Sequence, residues 1–407
     1  MCGQNEEPRD DAQAADFPWE LGVFDAHCHP TDTMSSIATI KDMRARVLTV
    51  MATRSQDQDL VASVAAKQGI KDSSALATQD QSNKLVPAFG WHPWFSHQLF
   101  DDTAEGNNAY DPANPTAEGK EKHYQAVLNP APDHDFIASL PDPVSLKGFL
   151  AETRRRLADA PLALIGEVGI DKQFRLPVAR SEGDPVEREE GLTPGGREGR
   201  RLSPYHVKMQ HQVQILKAQL QVAGELGRAA SVHGVQAHGV LFDALASLWK
   251  GHEKEVVSRR KQKLVAKGAE DFSSGDEDED EDSGVKTTAS PKSYTPKPFP
   301  PRVCLHSFSG SSQLMAQYLN PAIPARIFFS FSTAINLSTA GGEKKFPEVL
   351  RACPDDRILI ESDLHTAGND MDFYLQSMYR KVCEVKGWTL EDGVKRIRKN
   401  YEEFIFG

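Results

Sequence analysis

The stretch with the densest chemistry is Phe24–Pro30, Phe-Asp-Ala-His-Cys-His-Pro. The apolar lead Leu21-Gly22-Val23 precedes it, so it reads as a short buried strand ended by Pro30. Side chains alternate along a strand. His27 and His29 therefore share one side, with Asp25 beside them and Cys28 facing away. Two imidazoles on one face of a strand end can grip a single metal ion. The structural alternative is a hydrogen-bonded histidine pair.

Further candidates stand at the ends of other apolar, β-rich runs. His92 follows Leu85–Gly90, Glu167 follows Leu162–Ile165, and His233 closes Ala229–His233. His306 follows Arg302–Leu305, and Asp363 follows Arg357–Ile360. Each alone has a plain explanation: a turn cap at His92 or Asp363, a salt-bridge partner at Glu167. Their coincidence at strand ends points instead to a metal centre. Four imidazoles and two carboxylates exceed what one tetrahedral ion needs, so two ions are expected. His27, His29, Glu167 and Asp363 are assigned to the first ion. Glu167, as a bridge, is assigned with His233 and His306 to the second. His92 is better placed for a substrate oxygen. Two ions about 3.5–4 Å apart can activate a water and hold attacking and leaving oxygens, with Asp363 accepting the water's proton. The expected catalytic residues are thus Asp363, Glu167 and His92. No Ser-His-Asp pattern or Gly-x-x-x-x-Gly-Lys phosphate loop competes.

The positioning elements alternate. Strands are expected at 21–30, 45–52, 85–90, 162–165, 229–233, 302–305, 326–331 and 357–360. Helical spacing marks 58–69, 145–160, 203–227 (Ser203 as N-cap, Pro204 at the first turn), 235–250, 371–386 and 389–404. Strands alternating with helices argue for a parallel sheet. Eight such units in 407 residues suggest an α/β fold of the TIM (β/α)8 barrel type with catalytic residues at the C-terminal ends of its strands. Residues 1–20 read as a disordered lead and 21–407 as one barrel. Long insertions are expected at about 96–143 (little helical content), 172–202 and 251–301.

The net charge is −11. Glu270–Asp282 alone holds nine acidic residues and no basic ones, so −11 without those nine leaves about −2 for the rest. The body offers no broad electrostatic footprint for nucleic acid. The tract reads as a solubilising disordered segment or a dock for a basic protein partner. No apolar run approaches the ~20 residues that cross a membrane, and Met1–Asp16 carries no apolar signal core. Five scattered cysteines, none in Cys-x-x-Cys, suit a reducing compartment. A cytoplasmic or nuclear location is expected, not a secreted one.

At these residues the chain resembles the TatD family of metal-dependent deoxyribonucleases. The matching stretches are Asp25-Ala-His27-Cys-His29, Gly90-Trp-His92-Pro93, Gly166-Glu167-Val-Gly-Ile-Asp171, Val232-His233, Leu305-His306-Ser-Phe-Ser-Gly310 and Glu361-Ser-Asp363. The resemblance implies a metallo-hydrolase barrel that cleaves phosphodiester bonds of DNA with Mg²⁺ or a similar ion; histidine-rich ligation favours Zn²⁺ or Mn²⁺. Glu167 on the fourth strand, where wider relatives bridge metals with a modified lysine, favours TatD over dihydroorotase-like proteins. Two positions depart. Val235 stands where the family commonly has Arg, and Leu364-His365-Thr366 replaces Ala-Pro-Tyr. Lys172 and Arg175 are candidate substrate-binding replacements, or solvated loop residues. Gly-Ile-Asp-Lys-Gln-Phe-Arg-Leu-Pro with Glu-Ser-Asp-Leu-His resembles the fungal branch, whose members are often labelled interactors of a tetratricopeptide-repeat subunit of the anaphase-promoting complex. The alternatives are a related metallo-hydrolase acting on a small non-DNA substrate and an interaction protein on an old enzyme barrel.

Overall fold

Eight short runs rich in Val, Ile, Leu and Phe become eight strands of one parallel sheet. They are β1 (Phe24–Cys28), β2 (Val47–Met51), β3 (Leu85–Phe89), β4 (Leu164–Asp171), β5 (Ala230–Val235), β6 (Arg302–Leu305), β7 (Arg326–Phe331) and β8 (Ile358–Ile360). Their order in the sheet follows their order in the chain. Every residue of β1 to β4 is buried, as a sheet covered on both faces requires. The computed structural model describes residues 16–76, 83–103, 110–179, 200–256 and 294–407.

Between β8 and β1 the ring is closed by loop and side-chain bonds. Asp363 N donates to His27 O (3.0 Å) and His29 N to Leu364 O (2.8 Å). The buried Asp25 carboxylate accepts from Ser362 Oγ (2.5 Å), Ser362 N and His27 N (both 3.0 Å). Burial pushes this carboxyl up to about 7. These bonds bring the ends of β1 and β8 together, and with them the residues each strand delivers. With helices outside, this is a nearly closed eight-stranded TIM-type barrel.

The helices are α1 (Ser55–Gln68), α2 (Ala117–Val127), α3 (His134–Ser139), α4 (Leu146–Asp159), α5 (Met209–Glu225), α6 (His238–Trp249), α7 (Ser312–Tyr318), α8 (Thr333–Asn336), α9 (Ala340–Ala352), α10 (Asn369–Lys386) and α11 (Leu390–Phe406). Tyr401, Phe404 and Ile405 of α11 join Phe24, Val47, Val86 and Phe328 in a cluster separate from the main core.

Several expectations need correction. The stretch 96–143 is not a largely non-helical loop. Thr116 and Asp133 cap α2 and α3, their side chains accepting from Gly119 N and Phe136 N. These helices bury Tyr124, Val127, Phe136 and Ile137 with Leu176, Tyr205 and Val207, so two insertions share one small core. The helix expected from Ser203 starts at Met209. Ser203 Oγ accepts from Tyr205 N instead (3.2 Å), and His206–Val207 pairs antiparallel with Leu128–Asn129. The lead is not wholly disordered: Phe17 and Trp19 are buried, their rings packed edge to face and Phe17 set against Tyr379 of α10. Helix α9 escaped sequence reading because Gly341, Gly342 and Pro347 break the usual signal. The acidic tract Glu270–Asp282 lies outside the described residues.

The shared insertion core meets the barrel through three buried histidines. His123 Nε2 bonds His97 O (2.8 Å) and His211 Nε2 bonds Ser96 O (2.9 Å). Burial pushes His97 down to about 3 and His123 down to about 4, and lowers His211. They stay neutral in the fold while the unfolded chain protonates near 6.5. As pH falls from about 6.5 toward 4 the unfolded state binds more protons, so stability drops, by roughly 1.4 kcal/mol per pH unit for each such group. Chemical denaturation against pH is expected to show this decline, and His97→Asn to make it shallower. An unchanged slope would show that His97 is protonated in the fold.

Candidate metal centre

Each strand end presents its polar residues to one point, and Glu167 lies at it. Its carboxylate is buried, and its two oxygens face different partners. Oε2 lies 3.4 Å from His27 Nε2 and 3.3 Å from His29 Nε2. Oε1 lies 2.7 Å from His306 Nε2, 2.9 Å from His233 Nδ1 and 3.1 Å from His92 Nε2. Asp363 Oδ1 is 3.6 Å from His29 Nε2 and 3.8 Å from His27 Nε2. All seven residues singled out at strand ends are thus gathered by the fold. Lys172 and Arg175 are exposed just beyond β4.

Two contacts join ring nitrogens directly: His27 Nε2 to His29 Nε2 at 3.2 Å, and His233 Nδ1 to His306 Nε2 at 3.1 Å. Lone pairs facing one another repel unless a proton or a cation lies between them. Donor atoms on an ion with bonds of about 2.0–2.2 Å stand about 3.3–3.6 Å apart at tetrahedral angles. The set His27, His29, Glu167 Oε2 and Asp363 is close to that spacing. The residues therefore fit a divalent ion, and His27–His29–Asp363 and His92–Glu167–His233 are two of the groups close enough to share one. A third, His27–His306–Glu361, includes a carboxylate that sequence reasoning left without a role.

The outer hydrogen bonds separate metal-type histidines from the other kind. His27 Nδ1 bonds Ser231 Oγ (2.9 Å). His233 Nε2 bonds Asp171 Oδ2 (3.2 Å). His306 Nδ1 lies 3.6 Å from Glu361 Oε1. For His27 and His233 the far nitrogen has a hydrogen-bond partner, leaving the near one's lone pair for a cation, while His306 Nδ1 has the Glu361 carboxylate nearby but no hydrogen bond. His92 is the reverse. The backbone N–H of Trp94 donates to its Nδ1 (3.2 Å), so the neutral ring carries its proton on Nε2, toward Glu167. Burial pushes His92 down to about 4 despite Glu167, which keeps it neutral. It is built as a hydrogen-bond donor.

Glu361 accepts from Ser307 Oγ (2.5 Å), Ser307 N (2.8 Å) and Ser330 Oγ (2.5 Å). Asp171 accepts from the Trp94 indole N–H (2.7 Å) and from Gln173 N and Phe174 N. Alternation marks both as partners: Glu361 is two residues before Asp363, and Asp171 four after Glu167 on β4.

Burial would raise the Glu167 carboxyl, but His92, His306 and His27 hold it well below the usual carboxylate range. Burial likewise disfavours charge on His29 and His306, yet Asp363 and Glu167 around the first, and Glu167 and Glu361 around the second, raise both well above the ordinary value. The negative charge built here is balanced by protons until a cation takes their place, so metal uptake displaces protons.

The model of the TatD-related DNase family matches residues 24–406. The chain belongs to the TatD family. The Cut9-interacting protein scn1 of Schizosaccharomyces pombe is 35% identical over 383 residues, covering 94% of this chain and 98% of that protein. An uncharacterized deoxyribonuclease of Saccharomyces cerevisiae is 24% identical over 401 residues, covering 94% and 99%. Among solved structures, a TatD family hydrolase from Entamoeba histolytica superposes with a TM-score of 0.52 at 11% identity over 95% of this chain and 98% of that one. An uncharacterized amidohydrolase from Saccharomyces cerevisiae gives 0.50 at 15% identity, covering 94% and 99%. These structures share the barrel. With the family comes a hydrolase of TatD type, carrying His, Glu and Asp clusters able to bind metal. No described helix is long and apolar enough to cross a membrane.

Proposed function

We propose that this TatD protein hydrolyses phosphodiester bonds of DNA with two divalent ions, which would share Glu167 as a ligand. The observation that carries this is the division of Glu167: one oxygen faces His27 and His29, the other His233 and His306. His27, His29, Glu167 and Asp363 would hold one ion; Glu167, His233 and His306 the other. Imidazole ligands suit Zn²⁺ and the carboxylates suit Mn²⁺ or Mg²⁺, the last being the family habit. When bound, the ions supply Lewis acidity and a water acidic enough to attack near neutral pH.

The chain's own groups do the rest. Asp363 is the most exposed of the inner carboxylates, 15% against 5% for Glu167, so it is the one that can meet a water and take its proton. His92 offers its Nε2–H to a substrate oxygen. Asp171 holds the tautomer of His233, and Glu361 sets a negative charge beside His306. Positive charge for the phosphate chain falls to Lys172 and Arg175, since Val235 offers none.

The test is cleavage of end-labelled single- and double-stranded DNA by metal-stripped protein with Mg²⁺, Mn²⁺ or Zn²⁺ restored. Metal-dependent cleavage that weakens as salt rises is expected, because phosphate contacts release counterions. Metal binding without cleavage of any DNA would move the substrate to a small non-nucleic ester or amide, a reading the nearly neutral body favours. A binding role alongside catalysis draws support from the name of the 35% identical relative. Failure of the full chain to co-purify with a Cut9-type protein would remove it.

A further inference from the structure

One tryptophan at the mouth of the metal centre has a role that the hydrolysis proposed above leaves unexplained. Trp94 is 38% exposed, although large aromatic side chains in this fold are mostly buried. Its seat is rigid. The indole N–H donates to Asp171 Oδ2 (2.7 Å) and the backbone N–H to His92 Nδ1 (3.2 Å). One ring neighbour is parallel: Phe174, with centroids 4.8 Å apart and planes 11° from one another. The His92 and His233 rings stand at 4.7 and 6.2 Å, both nearly perpendicular to it. Both histidines contact Glu167 Oε1.

Phe174 is fixed in turn. Its N–H donates to Asp171 Oδ1 (2.9 Å), its carbonyl accepts from His206 Nδ1 (3.0 Å), and its ring packs on the core shared by the two insertions. Asp171 thus ties three things together: the metal-type histidine His233, the exposed indole and the phenyl ring stacked on it. The insertions gain a purpose, for their shared core buttresses Phe174 where the chain leaves β4.

We propose that the Trp94–Phe174 pair is the stacking subsite for a nucleobase of the strand being cleaved, making Trp94 a specificity-determining residue. This rests on the DNA reading above. The subsite takes a flat aromatic group on a chain whose phosphodiester lies over Glu167. Every base has a π-face, so the site reads the presence of a base and not its identity. Asp171 holds the polar edge of the indole and Phe174 covers one face, which leaves the other, exposed face for the ligand.

The experiment compares two oligomers of equal length: oligothymidylate, and a chain of abasic tetrahydrofuran units with the same phosphodiesters. With the wild type, kcat/KM should favour oligothymidylate. Trp94→Ala should lose about tenfold on oligothymidylate, within the range that stacking of one base supplies, and little on the abasic chain. Trp94→Phe should keep most of the preference. An equal loss on both oligomers would overturn the proposal, since Trp94 would then act only through His92 and Asp171. A wild type that cleaves neither these oligomers nor double-stranded DNA removes the nuclease reading by itself. The stacking question is then decided by tryptophan emission of the full-length chain in EDTA. Quenching by oligothymidylate, absent with the abasic chain and absent in Trp94→Phe, supports the subsite; no such quenching overturns it.

Discussion

Glu167→Ala should abolish metal-dependent hydrolysis, with kcat/KM falling by about three orders of magnitude or more. Lewis-acid stabilisation of the transition state amounts to several kcal/mol, and each 1.36 kcal/mol is tenfold in rate. Glu167 faces both histidine sets, so on the proposed two-ion reading its loss would remove a ligand from each at once. The substitution also removes the negative charge that His29 and His306 face in the buried centre. Metal affinity should therefore fall with activity. Thermal melting reads this without an activity assay: a ligand at 100 times its Kd stabilises by about 2.7 kcal/mol, and that metal-linked rise in Tm should vanish in the variant. Glu167→Gln separates shape from charge, because the amide keeps the volume and one acceptor. If Glu167→Ala retained both hydrolysis and the metal-linked rise in Tm, the bridging role would be wrong.

The convergence of these side chains was readable in advance because a parallel barrel turns sequence position into spatial position. Each strand ends at the same rim, so a polar residue just past an apolar run arrives there whatever its distance along the chain. His27 and Asp363 are far apart in sequence, yet Asp363 N bonds His27 O. What the rule does not show is orientation. His92 reaches the same carboxylate oxygen as His233 and His306, and only the Trp94 N–H on its Nδ1 marks it as a donor. Glu361 and Asp171 were likewise visible as motif letters, while their roles depend on which histidine nitrogen they meet.

The insertions were least legible, for a physical reason. Their helices are short, and their apolar residues are spread over two distant segments. Tyr124 and Phe136 come from one, Leu176 and Tyr205 from the other. Neither segment can bury its apolar side chains alone, so neither shows the continuous periodicity of an amphipathic element. Ser203-Pro204 carried a sound helix-start signal, but Tyr205 and Val207 gain more by packing into that small core than by extending α5. Tertiary burial outweighed a capping preference worth about 1 kcal/mol.

Asp363→Asn should be the second largest loss, and of a different kind. Asp363 Oδ1 lies at the edge of the His27–His29 pair, its residue held at φ 56° by the bond from its own N–H to His27 O. Burial disfavours its charge, but His29, His27 and His306 keep its carboxyl below the ordinary value, so it is ionised and ready to accept a proton near neutral pH. The amide keeps a carbonyl oxygen for a cation and loses the basic site. General-base catalysis contributes about 10²–10⁴-fold, so kcat should fall within that range while metal-linked stabilisation largely persists. The pH profile distinguishes the two roles of this residue. At saturating metal, wild-type kcat should decline only at pH values below the ordinary carboxylate range, where Asp363 takes up a proton; in the variant that limb should flatten. A kcat loss that keeps the acid limb and removes metal binding would make Asp363 a ligand alone, and the proton would then have to leave through another group.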